Sequence, residues 1–122
     1  MLFRSQAPAG LDGLSMVPAL LGRKQTNQHE FLYWEFHENG SRQAVRMGDW
    51  KAIRPAPGAA LQLYALREDV AETNNVASAH PAVVARVEEY LKGARTESEW
   101  WPLRTAGEAA KAPKLPLERD LP

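Results

Sequence analysis

Three histidines, His29, His37 and His80, are the side chains of this 122-residue chain best suited to proton transfer or metal ligation. No two of them stand in an H-x-H or H-E-x-x-H arrangement, and no cysteine is present to complete a ligand set. Spacing therefore assigns no metal site. His80, beside Pro81, reads as the residue that leads into a helix. His37 has the richer surroundings: Glu35 and Glu38 bracket it, and a carboxylate beside an imidazole is how a proton shuttle is tuned. The same pair fits the solvated face of a strand equally well. Gln43 and Arg46 follow on what reads as the returning strand. With Glu38 they offer an acceptor, an amide and a cation near His37, a set suited to hydroxyls and to an oxyanion held by the arginine fork. His37, Glu38, Gln43 and Arg46 are accordingly the substrate-facing candidates.

Other chemistry is thin. Asn39-Gly40-Ser41 matches a glycosylation sequon, but a tight turn explains the same residues. Of the four tryptophans, Trp34 falls in an apolar alternation and is expected in the core. Trp100 and Trp101 suit an interface. A nucleophile elbow, a phosphate-binding glycine loop and basic–aromatic interleaving are missing. Fifteen Lys plus Arg balance fifteen Asp plus Glu, so no global field draws in nucleic acid or an anionic membrane. No secretory leader is visible, and no apolar run approaches the roughly 18 residues of a membrane span. The localisation stays open, since a chain without thiols suits either redox compartment.

The elements that must position these groups follow from period and punctuation. Residues 1–13 read as an irregular lead-in. Ser15 is placed to cap a short helix over Met16–Leu21, with Pro18 in its first turn and Gly22 as its stop. From Phe31 to His37 the period is two, with Leu32, Trp34 and Phe36 on one face and Tyr33, Glu35 and His37 on the other. Asn39-Gly40 is a hairpin signal. Gln43–Met47, Trp50–Arg54 and Leu61–Leu66 complete a four-stranded antiparallel meander. Pro81 opens a long helix running to about Arg95, whose Val83, Val84, Val87, Tyr90, Leu91 and Ala94 form a stripe for one sheet face. Glu88 and Lys92 are spaced for an outer ion pair. Residues 105–122 read as a flexible tail behind a single domain over 1–104. The fold class is α+β.

Taken together, these segments resemble the C-terminal subdomain of the arylsulfatase-type, formylglycine-dependent sulfatases. Asp12-Gly-Leu-Ser-Met-Val-Pro-Ala-Leu-Leu-Gly22 is similar to that family's D-G-x-S-x-x-P-x-L-x-G segment. Tyr33-Trp-Glu-Phe-His-Glu38 and Gln43-Ala-Val-Arg-Met-Gly-Asp-Trp-Lys51 follow in order. Leu63-Tyr-Ala-Leu66 with Asp69, Glu72, Asn75 and Ala77 resembles L-Y-D-L-x-x-D-P-x-E-x-x-N-x-A. Arg95-Thr-Glu-Ser-Glu99 and Pro102 resemble the family's ending. Ala65 stands where the family has Asp, and Val70 where it has Pro; both changes loosen a turn.

The resemblance implies a sulfuric ester hydrolase whose formylglycine nucleophile works beside calcium, with both groups in a larger N-terminal domain. Formylglycine arises from Cys or Ser in C/S-x-P-x-R. No serine here has Pro two residues on and Arg four on. The chain is therefore expected to be an inactive C-terminal piece that packs on a sulfatase catalytic domain and borders the substrate cleft. The alternative is an independent module that binds a protein, a sulfated ester or a glycan without hydrolysing it. Neither reading calls for nucleic acid or a membrane.

Overall fold

The computed structural model describes residues 10–112. They fall into two compact units, divided after Glu30. In the first, α1 spans Val17–Leu20 with Pro18 in its opening turn. Its N-cap is Met16 rather than Ser15, whose hydroxyl accepts only a long 3.4 Å bond from the Val17 N–H. Gly22 ends the helix at φ +67°, as its type suggests. Residues 1–9 of the expected lead-in and residues 113–122 of the expected flexible tail lie outside the described residues.

The second unit is built on four antiparallel strands in sequential order: β1 Leu32–Phe36, β2 Arg42–Met47, β3 Trp50–Arg54 and β4 Gln62–Ala65. Asn39 at φ 55° and Gly40 at φ 101° make the first turn, and Gly48 at φ 57° serves the second. Val45, Ala52 and Leu63 pair along one rung across β2, β3 and β4, and all three are buried. They form one column of the core, and α2 (Pro81–Leu91) lays Val87 and Leu91 against it. Phe31 stacks on Tyr90 with ring centroids 4.1 Å apart.

Four expectations change. Helix α2 ends at Leu91, so it is shorter than a run to Arg95 and is not the last element. A capped helix α3, Ala106–Lys111, occupies the start of the expected tail, with Thr105 and Glu108 in a reciprocal capping box. Glu88 pairs with Arg54 of β3, and Lys92 with Glu89, instead of with each other.

The fourth change is the most consequential. Tyr33 pairs with Val45 and Glu35 with Gln43, and directly paired residues point to the same side. The even positions of β1 therefore face away from α2, leaving Leu32, Trp34 and Phe36 exposed. The alternation in β1 is real, but the buried Val45–Ala52–Leu63 column decides which side the helix covers. Register then carries β1's polar set inward. Trp34 is not a core residue.

Candidate functional site

Turning β1's polar face inward concentrates titratable groups beneath the first hairpin. Glu35 is the hub. One carboxylate oxygen accepts from the Tyr33 hydroxyl and, at 2.6 Å, from Arg95 Nε. The other lies 3.0 Å from His37 Nε2. The Gln43 amide donates to the Tyr33 hydroxyl at 2.7 Å, and Arg95 also donates to the Trp101 carbonyl and pairs with Glu97. Burial alone would raise the Glu35 carboxyl, but hydrogen bonds from Tyr33, Arg95 and His37, with the charge of Arg95, hold it below its ordinary value. Burial, reinforced by the bond to Glu35, pushes the Tyr33 phenol up to about 12. Glu97 first and Glu35 second raise Arg95 further. The cluster is a charged clamp in which Arg95 Nη1, buried without a hydrogen bond, is met only by the Glu97 carboxylate as an ion pair.

His37 lies just beyond β1, its ring tilted 5.6 Å from that of Trp101. Nδ1 is 3.1 Å from the Ser41 hydroxyl. Because the Glu35 carboxylate accepts at Nε2, a neutral ring carries its hydrogen there and takes the Ser41 hydroxyl at Nδ1. Glu35, His37 and Ser41 thus follow the carboxylate–imidazole–hydroxyl order of hydrolytic triads. The serine is unsuited to attack. It is 3% exposed, and its oxygen already accepts the Arg104 N–H at 2.8 Å while its own N–H donates to the Arg104 carbonyl at 2.7 Å. The line of bonds fastens residues 102–104 to the hairpin.

The four candidates therefore separate. His37 and Gln43 belong to the buried clamp. Glu38 is exposed in the turn. Arg46, an odd number of residues from Gln43, emerges on the opposite sheet face, where its Nε donates to the Gly48 carbonyl at 3.2 Å. There it lines a groove of about 420 Å³ with Trp34, Ala44, Lys51, Leu66 and Glu72. Tyr33, Ser41 and Arg95 are the polar residues that spacing did not single out. The signal for Arg95 lay in Arg95-Thr-Glu-Ser-Glu99, and for Ser41 in a sequon that is in fact a buried turn.

Most of the recurring segments noted in the sequence hold one another. Lys51 Nζ meets Glu72 at 2.5 Å, and Glu72 sits at φ 55°. Asp69 accepts from the Thr73 and Asn74 backbone. Asn75 accepts from the N–H groups of Leu63 and Ala77. Their spacing is set by cross-links of the fold rather than by chemistry on a substrate. Among the described residues, no three His, Cys, Asp or Glu side chains group to hold a metal ion, and no helix is long and apolar enough to cross a membrane.

No protein-family model matches the chain. It is similar to an N-acetylgalactosamine-6-O-sulfatase of Bacteroides thetaiotaomicron, at 31% identity over 72% of this chain and 19% of that protein. Among solved structures, a 2-O glycosaminoglycan sulfatase superposes with a TM-score of 0.62 at 26% identity, covering 71% of this chain and 20% of the other. A Bacteroides thetaiotaomicron protein described with glycosaminoglycan metabolism gives 0.57 at 30% identity, over 75% and 22%. The chain thus spans about a fifth of the length of these relatives.

Proposed function

Because the chain corresponds to the C-terminal subdomain of an arylsulfatase-type sulfatase, we propose that it serves as the non-catalytic part of such an enzyme. In this reading it packs on the catalytic domain and borders the cleft in which a sulfate ester is held. The observation that carries the proposal is the agreement of sequence and fold over some seven-tenths of the chain with only a fifth of its relatives. In the complete enzyme, formylglycine and calcium would supply the nucleophile and polarise the sulfate. The residues of this chain fit neither group: there is no cysteine and no serine in the precursor pattern, nor a ligand cluster among the described residues. No reaction step is assigned to it.

Within that reading the hairpin tip is the part that meets substrate. Both ring nitrogens of His37 are engaged by Glu35 and Ser41, so His37 is a positioning residue that fixes the tip. Glu38, exposed beside it, presents an acceptor to a sugar hydroxyl. The test is an intact sulfatase carrying these residues as its C-terminal segment. Glu38→Ala is expected to raise KM several-fold for a sulfated sugar, with kcat and melting temperature nearly unchanged. His37→Ala is expected to raise KM and to lower the melting temperature, with His37→Gln restoring part of both. An unchanged KM in both alanine variants removes the cleft-bordering role.

A second reading, an independent module that binds a glycan or protein, draws on the groove. There an exposed indole, Trp34, stands beside Arg46 and Lys51, a stacking surface with cations for sulfate oxygens. Saturable binding of a sulfated oligosaccharide by the isolated chain, lost in Trp34→Ala, would favour it.

A further inference from the structure

The sheet has two faces, and the described helices of its own unit cover one of them. Helix α2 closes the Val45–Ala52–Leu63 side. The rungs of the other side read Trp34–Ala44–Ile53 and, one step along, Leu32–Arg46–Lys51–Tyr64. Leu32, Trp34 and Phe36 are 40%, 49% and 47% exposed. An antiparallel sheet with one solvated face normally alternates apolar-in with polar-out; β1 does the reverse. Its large apolar side chains form a contiguous exposed strip, the usual mark of an interaction surface.

We infer that this open face of the β1–β4 sheet, centred on Trp34 and Phe36, is the surface that docks on the sulfatase catalytic domain, against an apolar patch with an acidic rim. The inference rests on the reading proposed above and names the surface that reading requires. Charge identifies the occupant. The strand positions on this face carry Arg42, Arg46 and Lys51 and no carboxylate. Lys51 is answered by Glu72, and Arg42 packs over the Phe36 ring at 5.8 Å. The two arginines have no carboxylate among the strand positions of this face, and the acid that lines the groove beside Arg46, Glu72, is already paired with Lys51. A second copy seated here would bring four guanidiniums together, with the groove's Glu72 on each side already held by Lys51, which disfavours self-association. The relatives supply the other reason: four-fifths of their length lies outside the part this chain matches. The groove beside Trp34 offers a socket for a side chain of that domain.

The test co-expresses the tagged full chain with the Bacteroides thetaiotaomicron N-acetylgalactosamine-6-O-sulfatase lacking the segment this chain matches, and measures the amount captured. The native chain is expected to capture it, and Trp34→Glu with Phe36→Glu to reduce capture at least tenfold. Arg42→Glu with Arg46→Glu is expected to weaken it and to flatten its salt dependence. Ala82→Glu, exposed on α2, should change nothing. Because the altered side chains are exposed, the melting temperatures of the variants should stay close to native. Capture that survives Trp34→Glu with Phe36→Glu overturns the docking face and leaves the sulfatase reading standing. No capture by the native chain overturns that reading and the inference with it. A native dimer broken by the same pair of changes, or a sulfated oligosaccharide competing for the face, would assign the face to another occupant and overturn the inference.

Discussion

The Glu35 carboxylate and the Arg95 guanidinium, 60 residues apart in sequence, meet at 2.6 Å beneath the first hairpin. Their side chains are 17% and 10% exposed, so the pair is screened far less than a surface salt bridge. Through it the segment after α2 is tied to the edge strand β1, which has a sheet neighbour on one side only.

Removing either partner leaves the other charge in a poorly solvated site. Glu35→Ala and Arg95→Ala are each expected to destabilise the chain by roughly 2–4 kcal/mol, toward the lower part of the range for broken buried pairs because water still reaches both groups. That corresponds to a fall in melting temperature of about 10 °C or more. Denaturant titration of the two single variants and the double variant checks it. Additive losses would show that the two side chains are not energetically coupled.

The same cluster sets a pH dependence. The folded-state carboxyl of Glu35 lies below its usual 4.5, so its stabilisation is fully present above about pH 4.5 and fades as pH falls through the lower folded value. The stability gap between wild type and Glu35→Gln should therefore narrow on acidification below that point. Tyr33 works in the opposite direction. Its phenol is raised from 10.0 to about 12, so its share is present below pH 10 and lost as pH rises through about 12. In an ultraviolet titration, the phenolate signal removed by Tyr33→Phe should centre near that value. A signal centred near pH 10 would mean that the cluster is open to water.

Gly40 has a demand that its neighbours do not share. It sits at φ 101°, and a Cβ there would lie 2.8 Å from the Ala106 backbone nitrogen. Gly40→Ala must both strain the turn and push α3 away, which is expected to cost about 2 kcal/mol or more. Gly93 has open space at its Cβ position, so Gly93→Ala should be close to neutral. Equal melting temperatures for the two variants would mean that α3 does not rest on the turn.

Much of this architecture is legible in the residues. The period-two runs, Asn39-Gly40, Gly48-Asp49 and the Pro81 helix start each have a local cause, and the sheet follows from them. The side of the sheet that α2 covers has none. Leu32, Trp34 and Phe36 look like a core stripe in isolation, and only the pairing of Tyr33 with Val45 reverses them. The candidate set divides for the same reason: Gln43 and Arg46 are neighbours in sequence, but their odd spacing in β2 sends them to opposite faces. Arg95 and Ser41 lie in segments that stand out in the sequence, but their partners Glu35 and Arg104 are some sixty residues away, which local spacing does not reveal. The capping box at Thr105 and Glu108 was a local signal present in the sequence and masked by the surrounding Ala and Lys.

Catalysis gives the last test. A sulfate ester resists attack unless the nucleophile is activated and the developing charge is stabilised. Among the described residues, the hydroxyl hydrogen-bonded to an imidazole backed by a carboxylate, Ser41, is buried and already accepts the Arg104 N–H. His37 has no ring nitrogen left to activate a water, and Glu35 is committed to Tyr33, Arg95 and His37. The purified chain is therefore expected to release no sulfate from an aryl sulfate ester, with or without added calcium. Ser41→Ala should lower its stability by about 1–3 kcal/mol, through the unsatisfied Arg104 N–H, and change no activity. Turnover that requires calcium, stops on chelation and disappears in Ser41→Ala would make the Glu35–His37–Ser41 line catalytic and displace its reading as a clamp.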